Sequence, residues 1–488
     1  MRRFLLLYLV ILLGCGWGIY ETLQAGKRLE STRTIVPAVT HSDSAAPAAT
    51  HPGLFQNVRE NLRDPLSLLL VQLILIILLA RIFGAIFVRF GQPAVIGEMI
   101  AGIVLGPSVV GTFFPGASAF LFPASSFGVL RMLSQVGVIL FMFVVGMELD
   151  LRQLRRRAST AVMVSHASIV IPYFLGVLFS LHLYQKYASH QATFTAFALF
   201  MGIAMSITAF PVLARILDER GLSRSSLGSV ALTSAAVDDV SAWTILAFVV
   251  AFVKAGSAAG SMLTIVLLLA FVTAMLLGAR PMLRRFLDSG PPHASGPGHG
   301  TVVGILIMVF ASGLVTELIG VHALFGAFLV GVMMPPDYEY RQQLRERLES
   351  FSSAFLLPLF FAFTGLRTQV GLLNDWESVT VCLALIGVAT LGKLGGSMLI
   401  ARFTGMGWHD SFALGVLMNT RGLVELIVLN IGLDLGILSP HVFTMMVIMA
   451  LVTTGMTGPL LTLAGFLRDK FLALAALRLP DPPPFRGG

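Results

Sequence analysis

From about Pro65 onward the chain alternates long apolar runs with short polar breaks. The runs fall at 66–88, 93–113, 126–148, 159–181, 192–217, 225–253, 261–280, 301–319, 321–335, 351–366, 378–402, 409–434 and 440–468, about thirteen in all. Most reach the roughly 20 residues a helix needs to cross a hydrocarbon core. A membrane barrel would instead show segments of about ten residues with alternating polarity. The pattern predicts an all-α polytopic membrane protein, with residues 64–468 as its membrane domain and 469–488 as a short tail. Residues 1–20, Met1-Arg-Arg-Phe and then an apolar run, read as a signal peptide or an anchor helix. Residues 21–63 are rich in Ala, Pro, Ser and Thr, lack helical periodicity and read as a flexible polar linker.

Composition agrees. Only 12% of the 488 residues are charged, against about 25% in soluble domains, and the mean hydropathy is +0.86. The net charge of +8 needs no nucleic-acid partner, because the basic residues sit in loops. Arg152, Arg155, Arg156 and Arg157 follow the third run. Arg280, Arg284 and Arg285 follow the seventh, Arg341, Arg345 and Arg347 the ninth, and Arg468 and Lys470 the thirteenth. All four loops share one side, which the positive-inside rule makes cytoplasmic. The membrane domain then starts outside and ends inside, as in a bacterial inner membrane. Cys15 and Cys382 lie far apart and imply neither a disulfide nor a metal framework. Nothing calls for a cofactor or an enzymatic reaction.

The runs repeat. The third carries Leu140-Phe-Met-Phe-Val-Val-Gly146 and the tenth Leu359-Phe-Phe-Ala-Phe-Thr-Gly365. The second carries Ala101-Gly-Ile-Val-Leu-Gly106 and the ninth Gly326-Ala-Phe-Leu-Val-Gly331. Both pairs are seven runs apart. An odd offset makes two halves of inverted topology, a design in which substrate binds near the midplane between the repeats.

The chemistry lies in charges within these runs. Asp238 and Asp239 stand side by side in Thr233-Ser-Ala-Ala-Val-Asp-Asp-Val-Ser-Ala-Trp243. One such charge costs about 2.5–3.5 kcal/mol on insertion scales, so two together mark a functional site. Adjacent residues leave a helix about 100° apart; one acid can pair with a cation while the other faces a wet cavity. Lys393, in Leu391-Gly-Lys-Leu-Gly-Gly396, is too deep in its run to snorkel and calls for a buried acid, Asp238 or Asp239. Pro211, in Ser206-Ile-Thr-Ala-Phe-Pro-Val-Leu-Ala-Arg215, removes a backbone donor and interrupts the fifth run beside Thr208. The twelfth run holds Met418-Asn-Thr-Arg-Gly-Leu-Val-Glu425. There Asn419, Thr420 and Gly422 break the apolar pattern, and Arg421 needs an acid or a half-helix C-terminus. Glu425, four residues on, can be its ion-pair partner. Interrupted segments at matching places in two halves point to a transport site. Glu98 suits a helix N-terminus, Glu317 and His322 flank a tight turn, and His166 reads as a buried imidazole.

Together Gly91-Gln-Pro-Ala-Val-Ile-Gly-Glu98, Ser206-Ile-Thr-Ala-Phe-Pro-Val-Leu-Ala-Arg215, Ala235-Ala-Val-Asp-Asp-Val240, Leu357-Pro-Leu-Phe-Phe-Ala-Phe-Thr-Gly365 and Asn419-Thr-Arg-Gly422 resemble the monovalent cation:proton antiporters of the Kef and plant cation/H+ exchanger branch. The resemblance runs from about Pro65 to about Leu467. It implies a homodimer, a scaffold and a moving six-helix core, with the fifth and twelfth helices unwound and crossed. It makes Asp239 the carboxylate that binds the transported cation or a proton, Asp238 the partner of Lys393, and Thr208 the unwound polar position beside them. Kef-type members usually have Gln before the essential Asp; here that residue is Asp238. The expected function is exchange of K+ or Na+ for H+ by alternating access. A gated cation channel or an ion or pH sensor on the same scaffold is the rival reading.

Overall fold

The computed structural model describes residues 2–30, 61, 64–148, 158–223, 225–255, 258–288, 299–335 and 338–476. No strand occurs among them. The basic cluster 152–157, the greater part of the expected linker (31–60, 62 and 63) and the last twelve positions of the expected tail, 477–488, lie outside the described residues.

The helices follow the apolar runs. They are α1 Arg2–Glu30, α2 Pro65–Arg89, α3 Ala94–Leu105, α4 Phe127–Glu148, α5 Ala158–Tyr187, α6 Phe194–Ser206, α7 Phe210–Glu219, α8 Ser226–Ala255, α9 Ala258–Ala274, α10 His299–Ile319, α11 Ala323–Met333, α12 Tyr338–Phe351, α13 Leu357–Leu366, α14 Trp376–Thr390, α15 Gly396–Phe403, α16 Trp408–Met418, α17 Leu423–Asp434 and α18 Pro440–Ala476. Single π-helical turns carry α9 towards Arg280–Asp288, join α12 to α13 and join α14 to α15. By length and apolarity, eleven described helices can cross a membrane, or twelve with the bent pair α16–α17 as one span.

Four boundaries differ from the sequence reading. Residues 21–30, expected as the start of the linker, are helical, because α1 continues to Glu30. Its residues find partners that periodicity alone does not reveal: α1 packs on α5 and α6, with Gly18 against Phe174 and Gly26 against Phe194. The first residues of the tail expected from 469 are helical as well, since α18 runs to Ala476. The expected ninth run, 321–335, gives α11, whose 11 residues are well short of a full crossing. A turn with Gly320 at φ +96° and His322 as N-cap sets its start. The polar stretch before the tenth run is itself helical, as α12.

Two groups of helices form. In the first, α2, α3, α4, α10, α11 and α13 pack against one another; in the second, α5 to α8 and α14 to α18 do. The first group is held by glycines. A Cβ on Gly102 would collide with the Ala362 carbonyl oxygen, and one on Gly331 with that of Phe143. Gly97 meets the backbone at Phe83 and Gly84 just as Gly326 meets it at Ser312 and Gly313. The second run thus packs on the tenth and the ninth on the third, while the second and ninth each pack on the helix before them. Helices without side chains at the contact bring their backbones together and gain dispersion contacts, the main attraction available in lipid. Between the groups, Arg367 donates to Asn430 (2.8 Å) and Asp434 (2.6 Å), and Asn430 donates to Thr364 (2.9 Å).

Gly102→Ala is expected to destabilise the protein by about 1–3 kcal/mol. Gly128→Ala, where a Cβ meets open space, should be neutral or gain a few tenths from helix propensity. Thermal unfolding of the detergent-solubilised variants checks this; equal midpoints would refute the packing argument.

Candidate functional site

Two helices are broken at mid-span, and the breaks meet. α6 ends at Ser206, residues 207–209 are non-helical, and α7 begins at Phe210. Pro211 is the second residue of α7, where the missing N–H would have had no intrahelical acceptor anyway. It therefore starts a half-helix and does not kink a continuous one. α16 ends at Met418, and α17 begins after Gly422, bent by 41°. The Ala209 N–H donates to the Thr420 carbonyl at 3.0 Å, tying one break to the other. A Cβ on Gly422 would crowd Val212 and Ala209, so the crossing needs a residue without a side chain there. Asn419 is buried at the C-terminus of α16. The Thr420 hydroxyl lies 3.4 Å from that of Thr457 on α18.

A break leaves carbonyls unpaired at one end and N–H groups at the other. The C-terminal carbonyls of α6 are covered by cations. Arg421 donates to Ala204 (3.1 Å) and Met205 (2.8 Å), and Lys393 donates to Ser206. Arg421 also pairs with Glu425 at 3.2 Å, and Thr454 accepts from its backbone N–H at 3.2 Å and donates to its carbonyl at 2.9 Å. Glu425 sits in the first turn of α17, the end of a helix that favours an anion. Both partners foreseen for Arg421, an acid and a half-helix C-terminus, are present.

Lys393 lies in the π-helical turn Leu391–Gly395, an irregularity common at functional sites. Its ammonium donates to Asp238 at 3.2 Å and to the Ser168 carbonyl at 3.1 Å. Asp238 collects three hydroxyls as well: Ser165 (2.6 Å), Ser168 (2.9 and 2.8 Å to its two oxygens) and Thr208 (2.5 Å). Thr208 also lies 3.1 Å from the Met418 carbonyl, so one side chain links the acid to both breaks. Asp239 is buried on the next position of α8, leaving the helix about 100° away from Asp238. Asp238, Asp239, Lys393, Arg421 and Glu425 are all 0% exposed. The structure thus gathers Asp238, Lys393 and Thr208 into one bonded cluster and Arg421 with Glu425 into a second at the same crossing. Of the two acids expected beside Thr208, Asp238 is the one its hydroxyl bonds. Two cavities of about 490 and 530 Å³ open near Arg367 and near Lys186, and neither reaches the acid pair. His166, expected to be buried, is half-buried.

The comparisons with known proteins follow this geometry. The profile described as "Sodium/hydrogen exchanger, transmembrane" matches residues 74–466. The chain belongs to the sodium/hydrogen exchanger family. It is 43% identical over 399 residues to the Na+/H+ antiporter NhaS4 of Synechocystis, covering 81% of this chain and 97% of that protein. It is 40% identical over 414 residues to cation/H+ antiporter 17 of Arabidopsis thaliana, and 34% identical over 407 to K+/H+ antiporter 1 of Saccharomyces cerevisiae. Those matches cover 84% and 82% of this chain but 50% and 46% of the relatives, so the chain spans about half their length. The fold matches the sodium proton antiporter MjNhaP1 of Methanocaldococcus jannaschii with a TM-score of 0.58 at 16% identity, over 85% of this chain and 99% of that one.

Residues of this family member that the sequence reading missed are Ser165, Ser168 and Thr454, with the carbonyls of 204–206. Ser165 and Ser168 are visible as a pair three apart in an apolar run, but the run does not say what they face.

Arg421→Met should cost about 3–5 kcal/mol, because it leaves Glu425 buried without its cation. Adding Glu425→Leu should recover a large part of that loss. A double-mutant cycle on thermal unfolding measures the coupling, and strictly additive effects would exclude the pair as a structural unit.

Proposed function

We propose that the chain is a secondary transporter that exchanges a monovalent cation, Na+ or K+, for H+ by alternating access at Asp239. The observation that carries this is the charge of the buried cluster. Its five fully buried ionisable side chains (three acids and two cations) sum to −1 in their ordinary charge states. One proton or one monovalent cation closes the balance. Exposing that deficit to each side in turn lets either ion neutralise it and makes the two compete. The relatives named as Na+/H+ and K+/H+ antiporters support the reaction class and leave both cations as substrates.

In this reading the crossed group moves as a core against the glycine-packed group as scaffold. The matched glycine contacts support inverted repeats, because the second-on-tenth contact becomes ninth-on-third when the halves are exchanged. The scaffold serves a homodimer in a bacterial inner membrane, with the membrane domain starting outside and ending in the cytoplasm.

Asp239→Asn, which removes the charge and keeps the shape, should abolish cation-driven proton movement in vesicles carrying a pH-sensitive dye. Native exchange in that variant would sink the proposal. Single-channel currents without proton coupling would favour the channel reading.

A further inference from the structure

We infer that Ser165 and Ser168 are positioning residues for the exchange reaction, holding Asp238 and through it Lys393 in place while Asp239 exchanges ions. The inference rests on the reading of Asp239 above.

The two serines depart from what most hydroxyls do in these helices. In a helix a Ser or Thr hydroxyl commonly bonds the carbonyl one turn back. Ser180 does so to Gly176, Thr233 to Ser229, Thr244 to Val240 and Thr273 to Leu269. Ser165 and Ser168 both donate instead to a carboxylate on another helix. They lie three apart, hence on one face of α5, and are fully buried. Ser165 takes one oxygen of Asp238 and Ser168 spans both, while Thr208 and Lys393 hold the second. Four donor groups on two oxygens suit a carboxylate, which only accepts; a protonated carboxyl would bring a donor of its own into a ring of donors. The ring also fixes the carboxyl plane. α5 holds Lys393 a second time through the Ser168 carbonyl, so one residue of α5 contacts both members of the ion pair. The other charged or titratable groups about Asp238 are Arg421 and Glu425 from the second break and Asp239 on its own helix. The neighbouring helices carry other titratable residues along their length, among them His166 and Tyr173 on α5 and Arg215 and Asp218 on α7.

A carboxylate stripped of hydroxyl donors takes up a proton more readily. Once it does, Lys393 has lost its counter-charge and the site its balance. In the Ser165→Ala/Ser168→Ala variant, exchange should therefore fail at a pH where the native protein still works. The measurement is the pH profile of exchange in vesicles at saturating cation, where competition between proton and cation at Asp239 is suppressed. The acid limb should move up by about one pH unit, and Ser165→Ala alone should move it in the same direction by less. Ser165→Thr and Ser168→Thr keep the hydroxyls and should keep the native midpoint. An unmoved midpoint in both alanine variants, or a uniform loss at every pH, would overturn the inference, as would threonine variants that shift as far as alanine ones. If the double variant does not reach the membrane, the single one decides. Failure here with Asp239→Asn inactive removes only the serine role; activity in Asp239→Asn removes the reading beneath it.

Discussion

The structure depends on one constraint: charge in the middle of a membrane needs local compensation, and a continuous helix offers none there. All its mid-span N–H and C=O groups are bonded to one another. Breaking a helix frees carbonyls at one stub and N–H groups at the other, each end worth roughly half a charge. Here the C-terminal stub of α6 receives Arg421 and Lys393 on three successive carbonyls. The N-terminal turn of α17 receives Glu425. The breaks are thus what allows five ionisable groups at zero exposure within one bundle. The cluster is in turn what makes the breaks tolerable, since the exposed backbone finds partners in it.

Other features follow from bringing two breaks together. The chains must cross closely enough for Ala209 to bond Thr420, which leaves no room for a side chain at Gly422. Hydroxyls then do what water would do in a wetter site. Thr208, Thr420, Thr454 and Thr457 link the breaks to α8 and α18, and Ser165 and Ser168 complete the shell around Asp238. The glycine-packed group makes the opposite choice. Its closest contacts are backbone against backbone, and among the described residues no buried ion pair joins them. One half of the molecule is therefore joined by close backbone packing, and the other carries the polar network.

How much of this could be read from the sequence depends on how costly each residue is in lipid. Asp238, Asp239, Lys393, Arg421 and Glu425 stand out because each is expensive where it lies, and the expense implies a partner. Pro211 and Gly422 stand out because they break helices. The apolar runs gave the all-helical class, and the paired glycine motifs marked the helices that meet most closely. Ser165 and Ser168 were not legible as site residues, since a membrane serine is normally content with its own helix's carbonyl; only the neighbouring helix shows otherwise. The helical course of residues 21–30 was hidden for a related reason. Its support comes from α5 and α6, not from a periodicity of its own. The shortness of α11 was hidden because run length counts the turn residues at each end as span.

The tie between Arg367, Asn430 and Asp434 bears on how the glycine-packed half and the polar half can shift past each other. Most of their seam is apolar, and apolar surfaces slide in lipid without leaving a donor or acceptor unmet. Ion pairs interrupt it: Arg367 on the scaffold side holds two residues of α17, Asn430 passes the link on to Thr364, Arg131 of α4 reaches Asp434 at 3.7 Å and Lys254 of α8 pairs with Glu317 of α10 at 3.2 Å. α17 is also the half-helix that carries Glu425, so the tie and the ion site share one rigid element 12 residues long. Movement of the core would have to part Arg367 from both of its partners. Arg367 and Asp434 are 16% and 20% exposed, so water is at hand to replace the lost bonds. The separation then costs far less than breaking the same contacts in a dry interior. A seam that is largely apolar, with its ion pairs placed where water reaches, can be firm in each position and still permit passage between them.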